Sequence, residues 1–476
     1  MSQTSAEPKT QALSYVAALG LMGSLIVTVI FHKPPFWAMA AGTGVAWLCA
    51  AVRLTPRIDG ESTRRVAGFA FNGVSRVANV LVLIALINAM TAVWFSSGTI
   101  QGLVYYGLKV VNPRYVALAG LALSALLCTL IGSSVGTVAT VGVAIMGIAR
   151  AFGVPAAPVA GAIMSGAIFG DRVSFLSPIY HLAVDLTRSD PRKATKRILA
   201  TGWPSLAACA VVCIAMGWSM DPGQVSKGLL WSTQFLAGLL ETVRISAWVL
   251  LPTALVVVLA VRRVPVRLCL AVGLVLAGVI AVFYQHENPS VVLRTALLGY
   301  SAKNASPQIA ALLQSGGLRG AVNMLLLLVF AGMYTGIMES SGMMDDVSRG
   351  LVSRLRTRGT FLIGAMGVSI FSAALASNQA MAVIIPARAM DSKREELAVS
   401  REDFAGALCD SGVPAAGIIP WNVMAAMCSE ALQVAPFAYA PYTVLAFALP
   451  LASIWRIRKS RSTARSRCEV DDVEAT

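Results

Sequence analysis

Long apolar runs separated by short polar segments make up most of this chain. Runs such as 13–31, 77–95 and 266–284 have the length, about 20 residues, that a helix needs to cross a hydrocarbon core. Because such runs recur, the pattern predicts an all-α polytopic membrane protein with about ten to twelve crossings. The predicted apolar segments are 13–31, 36–52, 77–96, 115–133, 137–152, 156–170, 198–218, 245–261, 266–284, 319–338, 359–376, 379–390, 412–430 and 437–455.

The first apolar run is predicted to be a transmembrane helix. It is longer than the core of a signal peptide, and no small-residue cleavage pattern follows it. The chain then divides into an N-terminal tail, a first transmembrane half, a connecting segment, a second transmembrane half and a basic tail. Their predicted bounds are 1–12, 13–284, 285–318, 319–455 and 456–476.

Small polar residues interrupt an apolar segment in each half of the chain. The first interruption contains Ser133 and the second contains Ser377. Each precedes another interruption that carries an aspartate: 38 residues separate Ser133 from Asp171, and 33 separate Ser377 from Asp410. Paired interruptions of this kind predict two inverted repeats with broken helices or re-entrant hairpins, and a binding site where the repeats meet.

Asp171 and Asp410 are the main candidates for an ion-coupling site. An ionised carboxylate at membrane depth is costly unless it is paired, so such residues usually serve transport or proton transfer. The structural alternatives for Asp171 are a salt bridge with the neighbouring Arg172 or a position at the membrane surface. For Asp410 the alternative is an N-cap of a helix that starts between Ser411 and Pro414.

Neutral ligands are predicted beside the two aspartates. Broken helices free backbone groups, and hydroxyl and amide side chains add oxygen donors, although small residues also serve simply to pack helices. Arg172 is an accessory candidate that could hold an anion. His181 is a second accessory candidate, since imidazole is the side-chain type that changes charge near neutral pH, and its alternative is a position at the membrane interface. The neutral candidates are Ser133, Ser134, Thr137, Ser174, Asn378, Gln379, Ser411 and Asn422.

Composition supports the membrane interpretation. Only 13% of the 476 residues are charged and the mean hydropathy is +0.71, whereas soluble domains have about 25% charged residues. The 38 Lys and Arg residues outnumber the 23 Asp and Glu residues, and they cluster at 188–197, 349–359 and 456–467 between apolar runs. Such clusters favour the cytoplasmic side, so both termini are expected in the cytoplasm, and nucleic acid is not an expected partner.

Cysteine and histidine patterns give no sign of an enzyme. The eight cysteines contain no CxxC pair, and the three histidines, at 32, 181 and 286, form no metal motif. We therefore expect no enzymatic activity and no cofactor. The expected partners are the lipid bilayer and the transported ions or solutes, and the sequence leaves open a homo-oligomer.

Five stretches carry a family resemblance that extends over about residues 77–455. They are "VWFSSGTIQGLVYYGLKVVNPRYV", "GSSVGTVATVGVAIMGIA", "AGAIMSGAIFGDRVSFLSP", "LCDSGVPAAGIIPWN" and "APFAYAPYTVLAFALP". Together they resemble the NhaC-type Na⁺/H⁺ antiporter family. The resemblance implies secondary active transport in the cell membrane, usually of Na⁺ in exchange for H⁺, with organic acids exchanged by some relatives.

The chain departs from the family pattern at several oxygen-bearing positions. The first motif resembles Gly-Asp-Lys-x-Ser-Pro-Leu-Ser-Asp-Thr-Thr, but Pro178, Ile179 and Tyr180 replace its last three residues. In the second motif, Cys409 stands where the family has glutamate and Val413 where it has threonine. Because Na⁺ prefers oxygen donors, these losses favour an alternative substrate.

Three functions follow from these observations. The first is exchange of Na⁺ for H⁺ by alternating access, with a tentative Na⁺ site at Asp171 and Asp410. The second is an Na⁺- or H⁺-coupled exchanger or symporter of a small organic anion or amino acid. A third, remote alternative is an intramembrane aspartyl protease, but the Gly-x-Gly-Asp pattern is missing, since residues 168–171 read Ile-Phe-Gly-Asp.

Overall fold

The fold is almost entirely helical. The computed structural model describes residues 8–31, 35–54, 60–220, 243–262, 264–301, 314–315, 317–344, 346 and 355–474. In the first half, the described helices are α1 (Pro8–Ile30), α2 (Pro35–Leu54), α3 (Gly60–Ser96), α4 (Thr99–Val110), α5 (Val116–Ile131), α6 (Ser134–Thr137), α7 (Val143–Ala151), α8 (Ala156–Val173), α9 (Pro178–Thr187), α10 (Pro191–Trp218), α11 (Leu251–Val261) and α12 (Val266–Phe283).

The rest of the described chain continues the same pattern. Its helices are α13 (Pro289–Leu298), α14 (Gly317–Gly320), α15 (Val322–Ser340), α16 (Arg358–Leu375), α17 (Met381–Glu396), α18 (Arg401–Cys409), α19 (Gly412–Ala416), α20 (Val423–Leu432), α21 (Pro436–Tyr439) and α22 (Val444–Glu474). Short 3₁₀ turns lie at Pro113–Tyr115, Ala247–Leu250 and Ala440–Tyr442. Two strands, β1 (Tyr300–Ser301) and β2 (Gln314–Ser315), pair antiparallel.

The first predicted interruption is the tip of a hairpin that covers residues 116–151. Helix α5 stops because Gly132 adopts a left-handed conformation at φ 76°, which glycine tolerates without strain. Ser133 then caps α6 by accepting a hydrogen bond from the Gly136 backbone N–H. A wider π turn, Val138–Gly142, joins α6 to α7. The break predicted around Ser133 is therefore confirmed.

The second predicted interruption is the tip of another hairpin, residues 358–396. Helix α16 ends at Leu375 and α17 begins at Met381. Between them Ser377 has a φ of 52°, a left-handed conformation that is uncommon for a residue with a side chain. At the open end, Arg358 Nε donates to the Leu397 carbonyl at 3.2 Å, which joins the start of α16 to the end of α17. The break predicted around residues 377–379 is confirmed.

Each hairpin is followed by a second broken helix that contains a predicted aspartate. Helices α8 and α9 meet at a bend of 44°, where Ser177 caps α9 and Pro178 occupies its first position. In the second half, α18 ends at Cys409, α19 follows after two residues, and α20 begins at Val423. The order of hairpin and broken helix is thus the same in both halves.

The two hairpins have their open ends at opposite ends of the bent pair α8 and α9. The first open end lies beside Pro155, just before α8 begins, where Pro113 and Pro155 line one pocket. At the other end, Arg401 Nη1 donates to the Arg188 carbonyl, just after α9, and Arg401 closely follows the second hairpin. Both tips therefore point toward the bend. This agrees with the expected inverted arrangement, although the repeat symmetry stays a prediction.

Glycines allow close contact between the helices that position the bend. A methyl group on Gly166 of α8 would lie 2.2 Å from the Leu121 carbonyl oxygen of α5. Similarly, one on Gly73 of α3 would lie 2.0 Å from the Gly332 oxygen of α15. Small residues of this kind let helix backbones approach in membrane proteins. Two pairs of helices are therefore held in backbone contact.

Among the described residues, eight helices are long and apolar enough to cross a membrane, or up to ten if each bent pair counts as one span. This confirms a polytopic all-α membrane protein and reaches the lower end of the predicted number of crossings. The predicted boundaries between tails, halves and connecting segment stay predictions. Parts of the connecting segment, residues 302–313 and 316, lie outside the described residues, as do His32 and most of the basic cluster 349–359.

We predict that Gly166→Ala destabilises the protein, because the added methyl would overlap the α5 backbone. Overpacking of this kind costs about 1–3 kcal/mol. The apparent melting temperature of the purified protein in detergent should therefore fall. Gly278→Ala is the matched control, since a methyl there would meet nothing within 4 Å. Equal melting temperatures for the two variants would contradict the close packing of α5 and α8.

Candidate functional site

Asp171 lies in the last turn of α8, at the point where the two hairpin tips approach the bend. Its side chain is buried, and Ser134 Oγ donates to one carboxylate oxygen at 2.5 Å. Ser177 Oγ donates to the other at 2.8 Å. The side-chain amide of Gln379, from the tip of the second hairpin, is a third polar neighbour. Residues from both hairpins and from the bend therefore surround one carboxylate.

Helix caps explain why the two serines face Asp171. Ser133 is occupied as the N-cap of α6, so the next hydroxyl, Ser134, is the one that reaches the carboxylate. Ser177 serves twice: its oxygen accepts from the backbone N–H groups of Ile179 and Tyr180, and its hydroxyl hydrogen goes to Asp171. The local geometry of two helix starts thus fixes both donors.

Asp171 borders a cleft of about 630 Å³. Among the described residues that line the cleft, Asp171 is the only Asp, Glu, Lys or Arg, and His181 contributes an imidazole whose Nε2 lies 2.8 Å from the Phe175 carbonyl oxygen. Most other lining side chains are apolar. The lining residues are Ile131, Gly132, Ser133, Ser134, Val135, Asp171, Phe175, Leu176, Pro178, Ile179, His181, Ala260, Val264, Pro265, Val266 and Gln379.

Asp410 has a different environment, because arginines hold both of its carboxylate oxygens. Arg172 forms an ion pair with Oδ1, and Arg197 Nη1 lies 3.4 Å from Oδ2. Thr201 Oγ1 also donates to Oδ1, at 3.0 Å. The side chains of Asp410 and Arg172 are both 0% exposed. A buried carboxylate with these partners is neutralised by the protein itself in this conformation.

The ion pairs of Asp410 join four helices. Arg172 of α8 also donates to the Ile198 carbonyl of α10 at 3.0 Å. Arg197 of α10 donates to Asp403 of α18 at 2.8 Å and to Ser453 of α22 at 3.1 Å. The network therefore connects the two broken helices through α10 and extends to the C-terminal helix.

Two structural alternatives from the sequence are wrong. Asp171 and Arg172 do not form a pair, because adjacent residues on α8 point to different sides: Asp171 faces Ser134, and Arg172 faces Asp410. Asp410 does not cap α19 with its side chain. It follows the last residue of α18, and its carboxylate reaches the arginines.

The predicted ligands separate into two groups. Ser133, Ser134, Gln379 and His181 line the Asp171 cleft. The others make local backbone contacts or face elsewhere. Thr137 donates to the Ser133 carbonyl, Ser174 to Thr129, Ser411 to Ala407 and Asn422 to Ala373, while Asn378 accepts from the Ala380 backbone N–H. In this conformation, these five residues are not brought to the carboxylate of Asp171.

Sequence reasoning missed three contributors. Ser177 precedes a proline that starts a helix, an N-cap signature that marks its position but not its bond to Asp171. Arg197 belongs to the basic cluster 188–197, which the sequence predicts in a loop, yet it lies in α10 with a buried side chain. Thr201 follows one turn later on the same helix and carries no sequence signal of its own.

The chemistry of the Asp171 site suits a small hard cation or a proton. A carboxylate and hydroxyl oxygens are the donors that such cations prefer. No group of three or more His, Cys, Asp or Glu side chains that could hold a metal occurs in the described residues. Asp171 and Asp410 share no hydrogen-bond partner among the described residues. An aspartyl protease needs two carboxylates that share one proton, whereas the carboxylate of Asp410 is paired with arginines.

Comparison with known proteins identifies related transporters. A family model described as the Na⁺/H⁺ antiporter family matches residues 167–456. This match includes Asp171, Ser177 and Asp410 and covers more than half of the chain.

Three curated relatives match over most of their length. The Na(+)/H(+) antiporter NhaC of Bacillus subtilis is 27% identical over 80% of this chain and 84% of its own. The Malate-2H(+)/Na(+)-lactate antiporter of the same organism is 26% identical over 92% and 93% of the two chains. The arginine/ornithine antiporter ArcD of Halobacterium salinarum is 28% identical over 90% and 87%.

We predict that Asp410→Asn is far more destabilising than Asp171→Asn. Removing the Asp410 charge leaves two buried guanidinium groups without their shared carboxylate, which costs about 3–5 kcal/mol. The amide in Asp171→Asn can still accept a serine hydrogen bond and leaves no buried cation behind. Melting temperatures of the two purified variants would check this. Equal losses of stability would show that the arginine network does not depend on Asp410.

Proposed function

Because this chain belongs to the Na⁺/H⁺ antiporter family, we propose that it exchanges Na⁺ for H⁺ across the cytoplasmic membrane and that both cations compete for Asp171. The observation that supports this most strongly is the buried Asp171 carboxylate, held by Ser134 and Ser177 beside a cleft. It combines a titratable group with the oxygen donors that Na⁺ prefers.

Competition for one carboxylate couples the two cation fluxes. Na⁺ binds to the ionised form of Asp171, with the Ser134 and Ser177 oxygens as further ligands, and a proton binds to the same oxygens and displaces it. A bare carboxylate in a low-dielectric site is unfavourable, so the site changes sides more readily when it is loaded with one cation or the other. Each Na⁺ moved one way is then matched by protons moved the other way.

Asp410 has a positioning role in this mechanism. Its oxygens are held by Arg172 and Arg197, so it joins the broken helix of the first half to that of the second. This contact fixes the position of the last turn of α8, which carries Asp171, relative to α18. We propose that the network moves as one body while access to Asp171 alternates between the two sides.

The positive charge of the connections supports a cytoplasmic C-terminus. Cytoplasmic segments carry an excess of Lys and Arg, and the segments 188–197 and 456–467 are rich in both. The second hairpin then enters from the cytoplasmic side, because its open end lies beside Arg188. A fluorescent protein fused to the C-terminus should fluoresce in cells. Fluorescence seen only with a fused reporter that can also fold in the periplasm would contradict this orientation.

The size of the cleft supports a second candidate function. About 630 Å³ with a largely apolar lining is more than a bare Na⁺ requires, and related proteins are named for organic acids and amino acids. The alternative is therefore exchange of a small organic anion or amino acid coupled to Na⁺ or H⁺. In this conformation Arg172 is held by Asp410 away from the cleft, so an amino group on Asp171 fits the visible charges better than an anion does.

We predict that Asp171→Asn abolishes Na⁺-dependent dissipation of a pH gradient in inside-out membrane vesicles, because the amide cannot exchange a proton for Na⁺. Ser177→Ala and Ser134→Ala should keep exchange but raise the apparent KM for Na⁺ about two- to tenfold, as expected for loss of one hydrogen-bonding ligand. Asp185→Asn is the matched control, since Asp185 is an exposed aspartate of α9 and should leave exchange unchanged.

The same vesicles separate the two candidate functions. Exchange driven by Na⁺ alone supports the antiporter. A requirement for a carboxylic acid or amino acid in the medium, together with uptake of the labelled solute, supports the alternative. Full activity of Asp171→Asn in either assay would exclude Asp171 as the coupling residue.

A further inference from the structure

The tip of the second hairpin lies between two separate cavities. Gln379 faces the Asp171 cleft. The preceding residues, Ser377 and Asn378, line a second cavity of about 40 Å³, which has no lining residue in common with the first. A cavity of this size holds a water molecule or a small cation. The segment 377–379 thus separates the two cavities, and polar residues of this segment line each of them.

Ser377 provides a buried hydroxyl that the protein does not use. Its side chain is 3% exposed, and Oγ has no hydrogen-bond partner among the described residues. The backbone around it is satisfied: the Ser377 carbonyl accepts from the Val423 N–H, and the Ala376 carbonyl accepts from Thr335 Oγ1, both at 2.9 Å. Buried hydroxyls are almost always hydrogen-bonded, so an unused one in a cavity that Thr335, Glu339 and Asn378 also line indicates a bound species.

The opposite wall of this cavity carries an ion pair, since Glu339 and Arg76 both line it. Glu339 of α15 lines the cavity and forms an ion pair with Arg76 of α3. The Glu339 side chain is 18% exposed and that of Arg76 is 54% exposed. The cation therefore lies nearer the solvent than the carboxylate does. Arg76 already occupies the place of a positive partner for Glu339.

We propose that this cavity is a second Na⁺ site, formed by Ser377 Oγ, the Asn378 side chain and the Glu339 carboxylate. The identity of the ion rests on the proposed function. The cavity adds a second binding site to the Na⁺ path that starts at Asp171. Na⁺ passes between the Asp171 site and the Ser377 site across residues 377–379. Arg76 competes with Na⁺ for Glu339, so it occupies the Glu339 carboxylate when no Na⁺ is bound.

Replacing Ser377 with glycine gives a sharp test of this site. Glycine adopts a φ of 52° more readily than serine does. Ser377→Gly therefore removes the hydroxyl without straining the tip, and a purely structural role predicts an unchanged or more stable protein. The Na⁺ site instead predicts weaker Na⁺ binding. Ser372→Ala is the matched control, because Ser372 Oγ is also buried without a partner among the described residues but lines neither cavity.

We predict that purified Asp171→Asn protein, which lacks the first carboxylate, is still stabilised by NaCl relative to choline chloride. Binding to the native state raises the melting temperature with ligand concentration. Adding Ser377→Gly should raise the Na⁺ concentration for half of this effect about two- to tenfold. Adding Glu339→Gln should remove the effect, and adding Ser372→Ala should not change it.

Two results would overturn the second site: no Na⁺-specific stabilisation of Asp171→Asn, or the same half-effect concentration with and without Ser377→Gly. The proposed function is judged separately, by exchange in vesicles of the unsubstituted protein. Exchange in vesicles without Na⁺-specific stabilisation of Asp171→Asn would contradict only the second site. Na⁺-specific stabilisation of Asp171→Asn without exchange in vesicles of the unsubstituted protein would contradict only the antiport function.

Discussion

Arg172 and Asp410 are both withdrawn from solvent, and two buried charges are tolerated only while they remain together. Their contact joins two broken helices that are 238 residues apart in the chain. Arg197 and Thr201 complete the shell around the carboxylate and bring in α10. Much of the central architecture depends on this pairing, because loss of Asp410 would leave the buried Arg172 without its carboxylate partner. The bend after Asp171 keeps its position for the same reason.

This pairing also separates the roles of two aspartates that look equivalent in the sequence. Asp410 is enclosed by cations, whereas the polar neighbours of Asp171 in the described part of the chain are hydroxyl and amide groups, and Asp171 borders a cleft. A carboxylate without a permanent positive partner can accept a mobile one. The neighbouring arginine is kept from neutralising Asp171 by Asp410, on the other side of α8. In this conformation, Asp410 thus holds Arg172 away from Asp171.

Sequence reasoning was strongest where local chemistry determines the structure. Gly132 and Ser133 carry the signals of a helix end and a helix start, so the first break was predictable, as was the second from its small polar residues. Apolar run lengths were enough for the polytopic helical fold. The pairing of Arg172 with Asp410 was not predictable, because it depends on how distant helices pack. The same holds for two of the predicted neutral ligands, Ser174 and Asn422, which donate to backbone carbonyls 45 and 49 positions away in the chain.

One feature of the first hairpin determines how Ser134 meets Asp171. The π turn at Val138–Gly142 makes a wider loop than a regular helix, and in an α-helix each residue advances about 100° around the axis. An extra residue in the turn therefore rotates everything before it by about that angle relative to α7. Ser134 lies on the far side of this turn from α7, whose packing against α4 anchors the hairpin arm. The angular register of this wide turn thus acts together with the Ser133 cap in presenting the Ser134 hydroxyl to the carboxylate.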